Sequence, residues 1–172
     1  MSHEKIILGA GCFWGVQAAF ELLSAVKKTR VGYCGGVTEN PNYEEVCSKT
    51  TGHFEVVEIE FDPNEITLQK ILDLFFKIHN PTQTDGQAND IGPQYLSVIF
   101  SNKNQRQEIL DYINQISSAY KSPIATKVLD PEKFYTAEEY HQDYLKKNPM
   151  GYCHINLPRV KEFLEISGYR LK

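Results

Sequence analysis

The sequence lacks both a long apolar run and an excess of basic residues. Its 172 residues include 18 Lys and Arg against 22 Asp and Glu, which gives a net charge of −4. Surfaces that bind nucleic acid or anionic membranes need a cationic excess, so neither partner is expected. No apolar run approaches the roughly 20 residues that span a bilayer, and the N-terminus has no secretory signal pattern. We therefore expect a cytoplasmic protein, and we take a monomer as its default state.

Cysteine is scarce, and its spacing is sparse. Only Cys12, Cys34, Cys47 and Cys153 are present, and no Cys-x-x-Cys pair occurs. This excludes a dense disulfide scaffold, and the adjacent Cys153 and His154 are too close for paired zinc ligation. We expect no bound metal and no bound cofactor. In a reducing cytosol an ordinary cysteine serves as a small buried apolar residue, so a chemical role must be argued for each thiol separately.

Apolar periodicity predicts strands and helices in a mixed order along the chain. The predicted strands cover residues 6–8, 29–33, 54–61, 96–100 and 124–128. The predicted helices begin close to Cys12, after Pro63, near Ile109, at Thr136 (with Glu139 in capping-box spacing) and at Pro158. The length suits one buried core. We expect a single domain over residues 1–172, an α/β (α+β) two-layer sandwich with a mixed β-sheet and a ferredoxin-like core.

Two stretches have no periodicity. Residues 80–94 contain Pro, Gly, Asn and Asp at short intervals. A loop of this length in a compact domain is commonly functional. Residues 148–158 form a coil-rich C-terminal region that contains Cys153. A thiol in such a helix-free segment can move, and this property suits a cysteine that must reach another one.

Cys12 lies between a predicted strand and a predicted helix, inside Gly11-Cys12-Phe13-Trp14-Gly15. At a helix start, unpaired backbone amides and the helix dipole favour the thiolate, so we expect the thiol pKa to fall from about 8.5 toward neutrality. The glycines let a substrate approach the backbone closely, and Phe13 and Trp14 offer an apolar surface beside the sulfur. The alternative is a buried structural cysteine packed against core aromatics.

Glu55 has the same strand parity as Val57, Ile59 and Phe61, so its side chain extends an apolar row that faces the core. A carboxyl group there is desolvated, which raises its pKa and keeps it partly protonated near neutral pH. Such an acid can deliver a proton. The alternative is a strand-end residue that faces water.

The Gly11–Gly15 motif resembles the signature of the A-type methionine sulfoxide reductases, and further matches continue in order over nearly the whole chain. They are Val31-Gly32-Tyr33, Gly35-Gly36, Asn40-Pro41-Asn42-Tyr43, Glu45-Val46-Cys47, Thr51-Gly52-His53, Glu55-Val56-Val57, Asn89-Asp90, Gln94-Tyr95, Glu139-Tyr140-His141-Gln142, Asn148-Pro149 and Gly151-Tyr152-Cys153. Lys49, Phe54 and Thr84-Asp85-Gly86 depart from the family pattern, and we expect these changes to alter the outer wall of the pocket.

The resemblance implies a reductase of methionine-S-sulfoxide, free and in proteins, that acts in repair after oxidative damage. It makes Cys12 the nucleophile, Glu55 the catalytic acid and Cys153 the resolving thiol that closes a Cys12–Cys153 disulfide. Thioredoxin, or a similar dithiol, would then be the electron donor. The implied substrate pocket is lined by five residues: Phe13, Trp14, Tyr43, Asp90 and Tyr95.

Other interpretations use the same residues. Cys34 and Cys47 compete with Cys153 as resolving thiols. A thiol peroxidase would share the sulfenic acid chemistry at Cys12. A cysteine hydrolase would pair Cys12 with His53 or His141 as base, although both histidines lie in family-like segments that favour structural roles. A protein that only binds sulfoxides would be unaffected by loss of Cys12.

Overall fold

The computed structural model describes residues 2–172 and is built around a six-stranded mixed sheet. The strands are β1 (Glu4–Gly9), β2 (Val26–Cys34), β3 (Phe54–Phe61), β6 (Val98–Phe100), β7 (Lys127–Leu129) and β8 (Tyr135–Thr136). Their spatial order is β7-β6-β1-β3-β2-β8. The β6–β7 pair is parallel and the other pairs are antiparallel, so the predicted mixed sheet is confirmed.

Six α-helices accompany the sheet within residues 2–172. They are α1 (Phe13–Phe20), α2 (Tyr43–Cys47), α3 (Leu68–Lys77), α4 (Lys103–Ile116), α5 (Tyr144–Lys147) and α6 (Leu157–Ile166). The helices expected near Cys12, after Pro63, near Ile109 and at Pro158 are confirmed as α1, α3, α4 and α6. In α3 the apolar stripe is buried, and the Thr67 side chain accepts a hydrogen bond from the Lys70 amide, which stabilises the first turn.

The central part of the sheet follows the ferredoxin-like order. In sequence the elements run β1, α1, β2, β3, α3, β6, and in space the four strands lie as β6-β1-β3-β2. Residues of α1, α3, α4 and α6 form one large core with the sheet side chains of Ile6, Leu8, Val57 and Ile59. Alternate residues of the strands form a smaller cluster that includes Cys34, Phe54, Val56 and Phe100. The helix layer therefore covers the face of β3 that carries Val57, and by strand alternation also Glu55.

Two local predictions are wrong. Thr136 does not begin a helix; it pairs with Gly32 in edge strand β8, and the Ala137 amide donates to the Val31 carbonyl. Pairing between β8 and β2 thus uses the backbone groups that would otherwise begin a helix at this point. The loop over residues 80–94 also contains a short hairpin, β4 (Gly86–Gln87) with β5 (Asp90–Ile91).

Within residues 2–172, no helix combines the length and the apolar character that a membrane crossing needs.

Candidate active site

The strand-to-helix turn after β1 positions Cys12. Gly11 has φ +89°, a conformation that favours glycine, and Cys12 is the N-cap residue of α1. A Cβ atom at Gly11 would lie 2.8 Å from Cβ of Gln87 and 2.9 Å from Nε2 of His154. Only glycine therefore lets the hairpin loop and the C-terminal coil close around the residue before the thiol.

The Cys12 thiol is only 8% exposed, and its predicted pKa is wrong in direction. Burial raises the pKa of Cys12 far above its usual value, and the nearby charge of Glu55 raises it further. The backbone amide of Trp14 lowers the pKa of Cys12, but it does not outweigh these effects. The free-energy cost of desolvating the thiolate exceeds the stabilisation that the N-terminus of the eight-residue helix α1 provides. At neutral pH Cys12 is therefore a thiol.

Glu55 lies beneath this turn and is 1% exposed. The Phe13 amide donates to its Oε1 at 3.3 Å, while its buried Oε2 has no partner among the described residues. Burial raises the pKa of Glu55 to about 8, and the charge of Asp90 adds to the effect, although the Phe13 amide opposes it. The expected core-facing position and raised pKa are thus found, and the carboxyl group is largely protonated at neutral pH.

The three polar residues expected around the sulfoxide oxygen lie within electrostatic reach of Glu55. Burial is the main cause of the raised pKa values of Tyr43 and Tyr95, and the charge of Glu55 is one of the further causes. Tyr43 begins α2, Tyr95 ends a short 3-10 helix, and Asp90 lies in β5. Asp90 Oδ2 accepts a hydrogen bond from the Tyr152 hydroxyl at 2.9 Å. Three separate segments thus supply polar groups to one place.

The two aromatic residues after Cys12 differ in exposure. Trp14 is half-buried, stacked on Tyr144 with ring centroids 3.7 Å apart, and its Nε1–H donates to Nδ1 of His141 at 2.9 Å. Phe13 is fully buried, with its ring 5.2 Å from His141. The apolar surface next to Cys12 is therefore mainly the Trp14 indole. Sequence reasoning missed its supports, His141 and Tyr144, because they follow Trp14 by more than a hundred residues.

The four thiols are all free, and they differ in position. Cys153 is half-buried, and its thiol lies 3.2 Å from the Ile155 carbonyl. Its Sγ would be 3.0 Å from a Cβ atom at Gly15, so it rests against the first turn of α1. Cys34 is fully buried in the cluster on the other face of the sheet. Cys47 lies beside the Tyr43 hydroxyl at the pocket, close enough for the two groups to affect each other's pKa.

One expected change in the pocket wall is wrong. Phe54 points away from Glu55, and its ring packs against Phe100 with centroids 6.0 Å apart in the cluster on the other face of the sheet. Lys49, by contrast, approaches Gly92 near the pocket loop, where a Cβ atom on that glycine would lie 3.0 Å from its Cε. Strand alternation separates Phe54 from the site even though it adjoins Glu55 in sequence.

Comparison with known proteins gives one consistent family. A family model described as peptide methionine sulfoxide reductase matches residues 4–168. The peptide methionine sulfoxide reductase MsrA of Clostridium tetani is 49% identical over 155 residues, covering 90% of this chain and 94% of that protein.

Solved structures agree. Reduced Mxr1 from Saccharomyces cerevisiae has a TM-score of 0.83 at 36% identity, over 88% of this chain and 89% of that one. Mxr1 in complex with Trx2 has a TM-score of 0.59 at 27% identity, over 83% and 85% of the two chains. The match in sequence over nearly the whole length and the match in fold lead to one conclusion: the chain belongs to the peptide methionine sulfoxide reductase family.

Proposed function

We propose that this protein reduces methionine-S-sulfoxide, free and in proteins, to methionine, and so repairs oxidative damage. The observation that carries the proposal is the Glu55 carboxyl group. It is buried beside Cys12, protonated at neutral pH, and has one oxygen without a partner among the described residues. An unpartnered buried oxygen is costly, and a neutral acid next to a thiol suits proton delivery to a polar S=O group.

The first step transfers oxygen to Cys12. The Cys12 sulfur attacks the sulfoxide sulfur while Glu55 protonates the oxygen, which forms a transient sulfur–sulfur bond. The hydroxyl group then moves to the Cys12 sulfur as the substrate sulfur–oxygen bond and the sulfur–sulfur bond break, which releases methionine and leaves Cys12 as a sulfenic acid. The substrate sulfur is reduced by two electrons and Cys12 is oxidised by two. Since Cys12 is a thiol at neutral pH, its proton is also lost during attack. Net proton transfer from the thiol to the oxygen leaves Glu55 protonated and able to act again.

The pocket orients the sulfoxide. The Tyr43 and Tyr95 hydroxyls donate to the oxygen, with Asp90 organising the donors, as the charge develops there. The indole of Trp14 contacts the S-methyl group and the neighbouring sulfur, and a sulfur–aromatic contact contributes roughly 1 kcal/mol. Phe13, which is fully buried, supports the turn from beneath. The substrate is thereby held by an apolar side and a polar side with its sulfur toward Cys12.

The second step regenerates the enzyme. Cys153 condenses with the Cys12 sulfenic acid to a disulfide, releasing water, and a thioredoxin reduces this disulfide. The solved complex of Mxr1 with Trx2 supports a thioredoxin as the reductant. We place the protein in the cytoplasm, a reducing compartment that suits its four free thiols. We take it to act as a monomer.

Glu55 variants test the acid. Glu55→Ala is expected to slow single-turnover methionine formation by about 10²–10⁴-fold, the usual contribution of a general acid. Glu55→Gln keeps an N–H donor and should lose less. Because Glu55 must be protonated and its pKa is about 8, the wild-type rate should fall as pH rises through that value. The measurement is rapid-quench quantification of methionine from pH 6 to 10.

The control for this prediction is Glu58→Gln. Glu58 lies on the same strand but on the other face, where it is paired with Arg30, so oxygen transfer should be unchanged. Equal and mild losses in Glu55→Ala and Glu55→Gln, or an alkaline fall that persists in Glu55→Gln, would show that Glu55 is not the proton donor.

The pocket should accept only the S epimer at sulfur. Trp14, the tyrosine hydroxyls and Cys12 specify three directions around the substrate sulfur, so only one hand places the sulfur in line for attack. Pure protein with excess reductant should therefore consume half of a racemic methyl sulfoxide and stop. Chiral chromatography of the remaining substrate measures the outcome, and consumption beyond half would contradict the proposal.

A thiol peroxidase is the alternative, since it would form the same Cys12 sulfenic acid. Turnover of hydrogen peroxide and of a methyl sulfoxide, measured with the same reductant, distinguishes the two. Our proposal requires the sulfoxide to be the better substrate and Glu55→Ala to affect it more strongly than peroxide.

A further inference from the structure

The segment around Cys153 is tied to the active site at both ends. On one side the Tyr152 hydroxyl donates to Asp90 at 2.9 Å. On the other side Nε2 of His154 lies 2.8 Å from the Ala10 carbonyl oxygen. Cys153 lies between the two residues that make these bonds. The second bond joins His154 to Ala10, which are 144 residues apart in the chain. The second tie attaches the coil to the turn that carries Cys12.

The chemistry of this hydrogen bond defines the state of His154. A carbonyl oxygen only accepts, so Nε2 carries the proton and donates it. Burial lowers the pKa of His154, which leaves the ring neutral, and its Nδ1 is a buried lone pair without a partner among the described residues. The bond to Ala10 is thus the single hydrogen bond that the ring makes in the described structure.

The hydrogen bond between His154 and Ala10 connects the segment that carries Cys153 to the turn that carries Cys12. Ala10 and Gly11 precede Cys12, and the His154 ring packs so closely on Gly11 that a Cβ atom there would lie 2.9 Å from Nε2. The neighbouring Cys153 rests on the first turn of the helix that Cys12 caps. The charge of Cys153 contributes to the raised pKa of Cys12, so the two sulfurs lie within electrostatic reach.

We propose that His154 is a positioning residue for the resolving step: its Nε2–H bond to Ala10 anchors the coil so that Cys153 meets the Cys12 sulfenic acid. This inference rests on the proposed function. In the step, the Cys153 sulfur bonds to the Cys12 sulfur, the Cys12 S–O bond breaks, and the thiol proton leaves with the hydroxyl group as water. The oxidising equivalents come from the sulfoxide, and His154 takes no part in oxygen transfer.

Two amide substitutions test the anchor, because they differ mainly in reach. The amide nitrogen of His154→Gln can occupy the position of Nε2 and donate to Ala10, whereas that of His154→Asn ends near the position of Nδ1. We expect His154→Asn to slow disulfide closure about ten- to a hundredfold, a typical effect of misplacing a reacting group. His154→Gln should stay close to wild type, and both variants should form methionine at the wild-type rate in the first turnover.

The experiment mixes reduced full-length protein with one equivalent of methionine-S-sulfoxide and quenches at intervals. Chromatography measures methionine, dimedone trapping measures the sulfenic acid, and mass spectrometry measures the Cys12–Cys153 bridge. Thermal unfolding of each variant checks the fold. The anchor is supported if His154→Asn accumulates sulfenic acid while its methionine burst is intact. His154→Gln should then close the disulfide at close to the wild-type rate.

Three outcomes overturn the inference. They are closure at the wild-type rate in His154→Asn, equal slowing in both variants, and parallel losses of the methionine burst and of closure, which indicate a general structural role. Failure of the proposed function has a different signature, because wild-type protein would then form no methionine from the sulfoxide.

Discussion

Cys12→Ser is expected to form no methionine above background, even when enzyme is in excess over sulfoxide. A serine hydroxyl is a far weaker nucleophile than a thiol at the same position, and no sulfenic acid can form on it. Cys12 lies at the N-cap of α1, within electrostatic reach of the Glu55 carboxyl group and of Cys153. Chromatographic quantification of methionine after a single turnover measures the result.

The matched control is Cys34→Ser. Cys34 is fully buried, but it lies on the other face of the sheet. Its substitution therefore tests the loss of a buried thiol that is not part of the active site. Methionine formation should persist in this variant. Residual single-turnover chemistry in Cys12→Ser would instead point to another sulfur, either Cys153, whose charge reaches Cys12, or Cys47, whose thiol lies near Glu55 and Tyr43.

Cys153→Ser is expected to separate oxygen transfer from recycling. It should still form about one methionine per enzyme, because the sulfenic acid forms before the second thiol acts. Turnover with thioredoxin should fall by about 10²-fold or more, since an intramolecular thiol is replaced by an encounter in solution. A small thiol such as dithiothreitol can attack the sulfenic acid directly and should restore part of the turnover.

Mass spectrometry of the oxidised wild-type protein provides the direct check. The main species should carry a Cys12–Cys153 bridge, and Cys34→Ser and Cys47→Ser should keep most of their thioredoxin turnover. A main bridge from Cys12 to Cys34 or Cys47 would overturn the assignment. For Cys34 such a bridge also requires a thiol to cross the sheet, which the buried cluster around Phe100 opposes.

Much of the fold and the position of the acid were accessible from the sequence because they depend on local periodicity. Alternation in β3 indicated that Glu55 shares the buried face of Val57, and burial alone then predicts a raised carboxyl pKa. The apolar stripe of α3 and the glycine-flanked start of α1 were also local signals. The order of strands and helices along the chain was sufficient to predict a mixed sheet.

Local signals failed where distant segments compete for the same groups. Thr136 and Glu139 have the spacing of a helix start, yet strand pairing with Gly32 takes the Thr136 backbone. The helix start at Cys12 favours a thiolate, yet the hairpin loop, the C-terminal coil and Glu55 together desolvate the sulfur and oppose its charge. A pKa depends on everything packed around the group, and the sequence does not state that environment.

The sequence alone is therefore enough to identify the reactive groups: a thiol at a turn, an acid on a core-facing strand row, and a second thiol in a coil. How these groups are held depends on contacts between distant segments. The bonds of Trp14 to His141 and of His154 to Ala10 join residues 127 and 144 positions apart. Side-chain periodicity carries no information about such pairs, because they form only when separate elements pack together.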